Sequence, residues 1–404
     1  MCGHPLSSVF ADLGETPLSN AFLRAEDLDR FEPRYPLTAY VCEACFLVQL
    51  PVFEAAEAIF DDYAYFSSFS ESWLDHCRVY REEISGRLGL GADSLVMEIA
   101  SNDGYLLKYF KDAGIPALGI EPSRTVAEAA REKGIETLSG FFSSALAAEL
   151  AAGGKKADLL IGNNVLAHVP ELNDFVAGMK MVLASDGVIT MEFPHLARLI
   201  DGVQFDTIYH EHFSYFSFTS ALKLFAGHGL TVFDVIELPT HGGSLRIYAR
   251  HAGNEARPVS ENVPGLLAGE QRAGLGNLDA YKGFNEKIKK VRNGLIAFLE
   301  KSHEDGKSVC GYGAPAKGNT LLNCCGVGKD LLPFTVDRNP YKQGRFLPGS
   351  HIPIEKIERI AETEPDYVLI LPWNLAPEIM DKIAFIRDWG GRFVIPIPEL
   401  RIVD

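Results

Sequence analysis

The feature that most constrains this chain is a strand–tight turn–helix corner that occurs twice, at 98–104 and again at 311–318. A strand that turns through small residues directly into a helix opens a βαβ unit, and such units stack into a mostly parallel sheet covered on both faces. The first series reads as strands over 94–99, 117–121, 158–162 and 187–191, with helices over 105–113 and 125–133, and it ends near 245–248. A polar linker over 252–258 follows. A long helix is predicted over 277–301, its buried face carried by Tyr281, Phe284, Ile288, Val291, Leu295 and Phe298 at spacings of three and four. A second strand–helix series then runs from 308 to the end. Ahead of both lie short apolar stretches over 1–70 and an amphipathic helix over 71–90. The 404 residues, 47% hydrophobic, are enough for two or three such cores.

The charge balance narrows the partners. A net charge of −16, with no Lys/Arg run longer than two, is unsuited to gripping a phosphate backbone, so no nucleic-acid partner is expected. No apolar run approaches the length of a membrane span, and Met1-Cys2-Gly3-His4-Pro5 lacks the basic flank and apolar stretch of a signal peptide. The expectation is a cytoplasmic multidomain enzyme that does not engage membranes.

Seven cysteines, an odd number without a secretory signal, argue against a disulfide framework. Cys42-Glu43-Ala44-Cys45 lies between two short apolar runs, a hairpin with cysteines at its knuckle, which is how half of a four-ligand zinc site is built. Two buried apolar cysteines would give the same string, and the other half of the site is short by one ligand.

The first corner, Glu98-Ile99-Ala100-Ser101-Asn102-Asp103-Gly104, is a binding turn whose small residues let a ligand approach the backbone. Glu121 ends the next strand, where an acid grips ribose hydroxyls. Ala100-Ser101-Asn102 departs from the GxGxxG of dinucleotide binding, and the acids of this turn disfavour a pyrophosphate. A cationic sulfonium suits them better, so S-adenosylmethionine is the expected cofactor. The second corner, Gly311-Tyr312-Gly313-Ala314-Pro315-Ala316-Lys317-Gly318, does match GxGxxG/A, and Asp337 ends the following strand, a pattern that taken alone suggests NAD. Pro315 removes one backbone donor from that turn, and the corner can equally hold a nucleotide diphosphate with Lys317 as a point charge on phosphate.

Between the two corners, Tyr209-His210-Glu211-His212-Phe213-Ser214-Tyr215 packs two histidines, a carboxylate and two tyrosines together. Histidines two apart do not supply the spacing of a helical metal site, whereas either could act as a general base oriented by Glu211 or a tyrosine.

Together these motifs resemble the S-adenosylmethionine-dependent sugar C-methyltransferases that act on nucleotide-linked 4-keto-6-deoxyhexoses. The resemblance spans nearly the whole chain. It is carried by Phe10-Ala11-Asp12-Leu13-Gly14, Cys42-x-x-Cys45-x-x-x-Gln49-Leu50, Tyr63-Ala64-Tyr65-Phe66-Ser67-Ser68, the first corner, Asn164-Val165-Leu166-Ala167-His168-Val169, Tyr209-His210-Glu211-His212, His241-Gly242-Gly243-Ser244-Leu245-Arg246 and Gly311-Tyr312-Gly313. It implies an α/β chain of three parts: a small zinc-binding and substrate-lid domain over 1–70, a Rossmann-like class I methyltransferase domain over 71–251, and a second Rossmann-like domain binding the nucleotide sugar over 252–404. It selects His212 as the base, with Glu211, Tyr209, His168 and Tyr63 around the sugar. Cofactor contacts are expected from Glu98, Ser101, Asn102, Gly104, Glu121, Ser123, Phe142 and Asn164. Substrate contacts are expected from Tyr65, His241, Ser244, Arg246, Gly313 and Lys317. Structural zinc is expected at Cys2, Cys42 and Cys45, although the family's first cysteine would precede Met1, leaving an upstream residue, His4 or water as fourth ligand. The family pattern demands no more than a monomer.

The implied reaction is deprotonation of C3 beside the 4-keto group of a dTDP-linked sugar, followed by methylation of that carbon. Two competing readings stand beside it: an NAD-dependent nucleotide-sugar dehydrogenase or epimerase using Gly311 and Gly313, and a zinc-ribbon binding module on an inactive methyltransferase fold.

Overall fold

The computed structural model describes residues 1–53, 68 and 71–404, and its architecture is three sheets with helices between them. The first begins with β1 (Ser8–Thr16), β2 (Tyr35–Val41) and β3 (Val48–Gln49). Along β2 the buried residues Leu37, Ala39 and Val41 alternate with less buried ones, the period of a sheet with one face on a core.

The central sheet is built from β4 (Val96–Ile99), β5 (Ala117–Glu121), β6 (Thr137–Ser139), β7 (Ala157–Asn163) and β8 (Leu183–Pro194). Next in the chain, β9 (Ser214–Tyr215) leaves this sheet and pairs with β3, Val48 opposite Tyr215, so the first sheet has the order β1-β2-β3-β9. The chain then returns with β10 (Leu230–Leu238) and β11 (Ser244–His251), which give the central order β10-β11-β8-β7-β4-β5-β6. Strands β4 to β8 pair in parallel, while β11 is antiparallel to both neighbours. All four residues of β4 are buried, as a strand covered on both faces requires.

The third sheet contains β12 (Val309–Tyr312), β13 (Thr335–Val336), β14 (Ile354–Glu355), β15 (Tyr367–Ile370), β16 (Arg392–Ile395) and β17 (Arg401–Val403). Its order is β14-β13-β12-β15-β16-β17, parallel except for β17. The order reverses at β12, so the second glycine corner sits at a topological switch point. The mixed α/β class with two doubly wound sheets agrees with the sequence reading.

One predicted helix begins late. The stretch from 277 opens with a 3-10 turn, Leu278–Tyr281, and the helix proper runs Phe284–Glu304. Gly283 separates them with a left-handed φ of 79°, a conformation a helix interior excludes. Its buried face carries Leu299 rather than Phe298 and continues to Ser302.

A single core ties the parts together around the site. Phe10, Leu37 and Val48 of the first sheet pack with Leu196, Phe205, Ile208 and Tyr215 from the central chain and with Phe284, Ile288, Leu321 and Leu371 from the C-terminal part. Phe10 and Phe284 stack at 4.6 Å between ring centroids. This core underlies the aromatic–histidine cluster.

Candidate active site

The first corner is shaped by three left-handed residues, Ala100, Asn102 and Gly104. At Gly104, φ is 74° and an added Cβ would lie 2.8 Å from Ile135 Cγ1, so the turn is closed to any side chain there. Glu121, at the end of β5, accepts from the N–H of Asn102 and of Ser123, each at 2.9 Å. Among the described residues, the buried hydroxyls of Ser101 and Ser123 have no hydrogen-bond partner. Glu98 is fully buried beside Tyr105, and burial, with the charges of Glu121 and Asp103, pushes its carboxyl well above the usual range. Asp103 turns away from the corner onto Lys133 at 2.6 Å. The corner therefore offers an acid and two hydroxyls unpartnered among the described residues, which fit an adenosyl cofactor with a cationic sulfonium. Phe142, edge-on to Phe175 at 5.4 Å, follows β6. Asn164 follows β7, but its amide donates to His241 Nε2 at 3.1 Å. The cofactor set thus lines the carboxyl ends of four neighbouring strands, where open α/β sheets bind ligands.

The aromatic–histidine cluster lies above the carboxyl ends of β7 and β8, and its two histidines have different partners. His210 Nε2 donates to the carbonyl of Pro36 at 3.2 Å, and its ring is edge-on to Tyr35, so it docks the N-terminal sheet. His212 Nδ1 lies 2.9 Å from the Thr207 carbonyl and Nε2 lies 2.8 Å from the Tyr209 hydroxyl. A carbonyl can only accept, so Nδ1 carries the proton and Nε2 presents its lone pair to Tyr209. Burial holds His212 well below the usual histidine range, with His168 and Lys317 adding to the effect. His168 packs edge-on to His212 at 4.6 Å and is itself lowered to about 4 by burial. Burial pushes Glu211 up to about 7, against Asn20, whose amide lies 2.8 Å from both carboxylate oxygens, and the charge of Lys342. Tyr63 and Tyr65 fall outside the described residues.

The second corner reaches this cluster. At Gly313, φ is 89° and a Cβ would meet Pro372 Cδ at 2.6 Å. Asp337 accepts from the N–H of Ala314 at 2.7 Å and of Asn339 at 2.8 Å, the same pattern that Glu121 makes at the first corner. Lys317 donates to Asn374 Oδ1 at 2.7 Å and lies 4.9 Å above the Trp373 ring.

The expected substrate contacts divide. His241, half-buried and lowered to about 4 by burial and by Lys317, faces Asn164 and Trp73 beside the cluster. Ser244 and Arg246 lie instead within β11. The Ser244 hydroxyl donates to the Thr240 carbonyl at 2.9 Å. Arg246 is 2% exposed, pairs with Glu192 at 2.7 Å and stacks on Tyr80. Burial would raise Glu192, but His76 and Arg246 hold it down at about 2. Arg246 thus spends its charge inside the sheet, its Nε being without a partner among the described residues.

At the N-terminal knuckle, the Phe46 N–H donates to the Cys42 carbonyl at 2.9 Å, and Phe46 takes a left-handed φ of 62°. The thiols of Cys2, Cys42 and Cys45 all lie within 4.8 Å of one another, with Cys2 and Cys42 at 3.5 Å. A tetrahedral zinc with bonds of about 2.3 Å sets sulfurs about 3.8 Å apart, so these three fit zinc. Among the described residues His4 does not join the cluster. Burial alone would raise the Cys42 thiol, but the N–H groups of Cys45 and Ala44 draw it below its ordinary value, while burial pushes Cys45 up to about 12.

Four residues of the site escaped the sequence reading: Asn20, Asp206, Lys342 and Trp373. Asp206 lies three residues ahead of the string that drew attention, yet nothing local marks it as buried, and the others come from segments far away in sequence.

Comparison with known proteins places these features together. Residues 1–60 match the family described as zinc binding domain, 74–235 the methyltransferase domain, and 239–398 the C-methyltransferase C-terminal domain. The chain is 38% identical to the C-methyltransferase NovU of Streptomyces niveus over 406 residues, covering 100% of this chain and 96% of that protein. Among solved structures it is similar to the PH0226 protein of Pyrococcus horikoshii, at 16% identity, 49% and 99% coverage of the two chains and a TM-score of 0.37. It is also similar to the CcbJ methyltransferase of Streptomyces caelestis, at 14% identity, 44% and 90% coverage and a TM-score of 0.35. No described helix is long and apolar enough to cross a membrane.

Proposed function

From a chain that belongs to the S-adenosylmethionine-dependent C-methyltransferase family its motifs resemble, we propose a cytoplasmic enzyme that methylates C3 of a dTDP-linked 4-keto-deoxyhexose. The observation that carries this reading is the state of His212: a neutral imidazole with Nδ1–H fixed on Thr207 and the Nε2 lone pair turned to Tyr209. In the proposed reaction Nε2 takes the C3 proton, and the electrons of the broken C–H bond pass into the neighbouring carbonyl. The Tyr209 hydroxyl, released from Nε2, donates to the oxyanion that forms there. When bound, S-adenosylmethionine would supply the electrophilic methyl for C3, its S–CH₃ bond breaking to release S-adenosylhomocysteine. Glu121, Ser101, Ser123 and the backbone of the first corner hold that cofactor. Lys317 and the corner around Gly313 take the nucleotide end of the sugar, with His241 between the two sites. Residues 1–70, 71–251 and 252–404 are the corresponding zinc-binding and lid, cofactor and nucleotide-sugar domains, and zinc on Cys2, Cys42 and Cys45 is structural.

The full-length relative is a C-methyltransferase, which favours this reading over the NAD-dependent alternative.

The test is isotope exchange. A dTDP-4-keto-6-deoxyhexose is incubated with the protein and S-adenosylhomocysteine in D₂O and followed by NMR. Deuterium is expected at C3, and His212→Asn should abolish its uptake. Uptake at C5 alone, or none with several 4-keto sugars, sinks the C3 assignment.

A further inference from the structure

The C-terminal domain touches the turn beneath the catalytic cluster through Trp373. This residue follows β15, and its indole N–H donates to Asp206 Oδ2 at 2.7 Å across 167 residues of sequence. Asp206 is 0% exposed. Burial pushes its carboxyl up to about 6, against the Lys317 charge and the indole N–H. The next residue is Thr207, whose carbonyl holds the Nδ1–H of His212. The same turn is tied again from the other side. The Thr207 N–H and hydroxyl both donate to the Gln204 carbonyl, and the Gln204 amide donates to the Gly242 carbonyl at 2.8 Å. Gly242 in turn lies under Trp373, since a Cβ there would sit 2.7 Å from Cη2 of the indole. Trp373 therefore touches three things at once: the turn of Asp206, the loop of His241 and, through its ring face, Lys317.

We propose that the Trp373–Asp206 hydrogen bond is a positioning link that fixes the 205–207 turn. Through it the C-terminal domain sets the Thr207 carbonyl, which keeps the proton of His212 on Nδ1 and the lone pair on Nε2. Neither residue touches a reacting atom, so both are positioning residues. The inference rests on His212 being the base of the proposed reaction. Its physical logic is that a neutral imidazole chooses its tautomer by its hydrogen-bond partners, and the partner here is a backbone carbonyl whose place depends on the turn.

The test separates this link from the reaction. In protein labelled with ¹⁵N-histidine, the His212 ring signals, assigned by their loss in His212→Asn, should show Nδ1 protonated in the wild type. Trp373→Phe keeps an aromatic side chain but loses the indole N–H donor, together with the outer ring atom that reaches Gly242; it should shift those signals toward a mixture of tautomers. In turnover, the same variant should lose about 10- to 100-fold in kcat, the scale of a misplaced catalytic group, with KM for the nucleotide sugar within about twofold. Asp206→Asn, which keeps an oxygen for the indole N–H, should retain most of the activity, whereas Asp206→Ala should fall as far as Trp373→Phe. The double variant Asp206→Ala/Trp373→Phe should be no worse than either single one. Unchanged ring signals, additive losses, or a raised KM with kcat intact each overturn the link. A wild type without C3 exchange would defeat the functional reading instead, and the substrate-free spectra would still decide the link.

Discussion

The Tyr209 hydroxyl donates to Nε2 of His212 at 2.8 Å, so in the free enzyme the lone pair that would take a proton is covered by the group that would stabilise the product of taking it. His212→Asn should cost about 10²–10⁴-fold in turnover, the usual worth of a general base. Tyr209→Phe should cost about 10²–10³-fold, the scale for one oxyanion donor. Both variants should still bind S-adenosylhomocysteine in a calorimetric titration. Turnover near wild type in either would remove that residue from the chemistry.

Activity should persist on the acid side of neutrality. A histidine held below its ordinary value stays neutral, and therefore basic, as the pH falls past about 6.5, and burial holds His212, His168 and His241 in that direction. A kcat profile measured from pH 8 to pH 5 should show no His212 limb at or above about 6.5.

Stability should carry the opposite signature of Glu211. Its carboxyl titrates at about 7 when folded, above its unfolded value, so the folded state binds the extra proton. The stability from that proton is present below about pH 4.5 and is lost as the pH rises through 7. The full loss is on the order of 3 kcal/mol. Glu211→Gln carries no such group and should gain in Tm relative to wild type between pH 5 and pH 8. The buried histidines act the other way between about 6.5 and 4, losing stability as pH falls, but they are common to both proteins and cancel in the difference. A Tm difference independent of pH would contradict the assignment.

Metal removal should act on the N-terminal sheet first. The wild type should carry about one zinc per chain by elemental analysis, and Cys42→Ser or Cys45→Ser should lose it, because a structural site yields its binding energy to folding. The expected readout is a lowered Tm that added zinc restores only in the wild type treated with chelator. Full zinc in Cys42→Ser would place the metal elsewhere.

Gly104→Ala combines an unfavourable φ with a contact at 2.8 Å to Ile135. It should destabilise by about 1–3 kcal/mol, the cost of forcing a side chain into that conformation, and weaken S-adenosylhomocysteine binding, seen in melting curves with and without the ligand.

Much of this protein could be read from the sequence because the signals are local. Small residues between a strand and a helix, alternation in β2 and the cysteines of the knuckle each act within a few residues, and all three fix backbone paths wherever the chain goes next. The string 209–215 stands out as a candidate site for the same reason. What the tertiary structure alone decided is which of its members have partners. His210 and His212 are two residues apart, yet one faces the Pro36 carbonyl and the other Tyr209, a division set by the pairing of β9 with β3. Asn20 reaches Glu211 across 191 residues and Trp373 reaches Asp206 across 167, distances at which no periodicity or spacing can register a contact. Arg246 went the other way: a charged residue in a promising motif is consumed by Glu192, because a buried carboxylate needs a partner more than a surface does. Local sequence sets the backbone; burial and long-range packing set the protonation state, and it is the protonation state that does the chemistry.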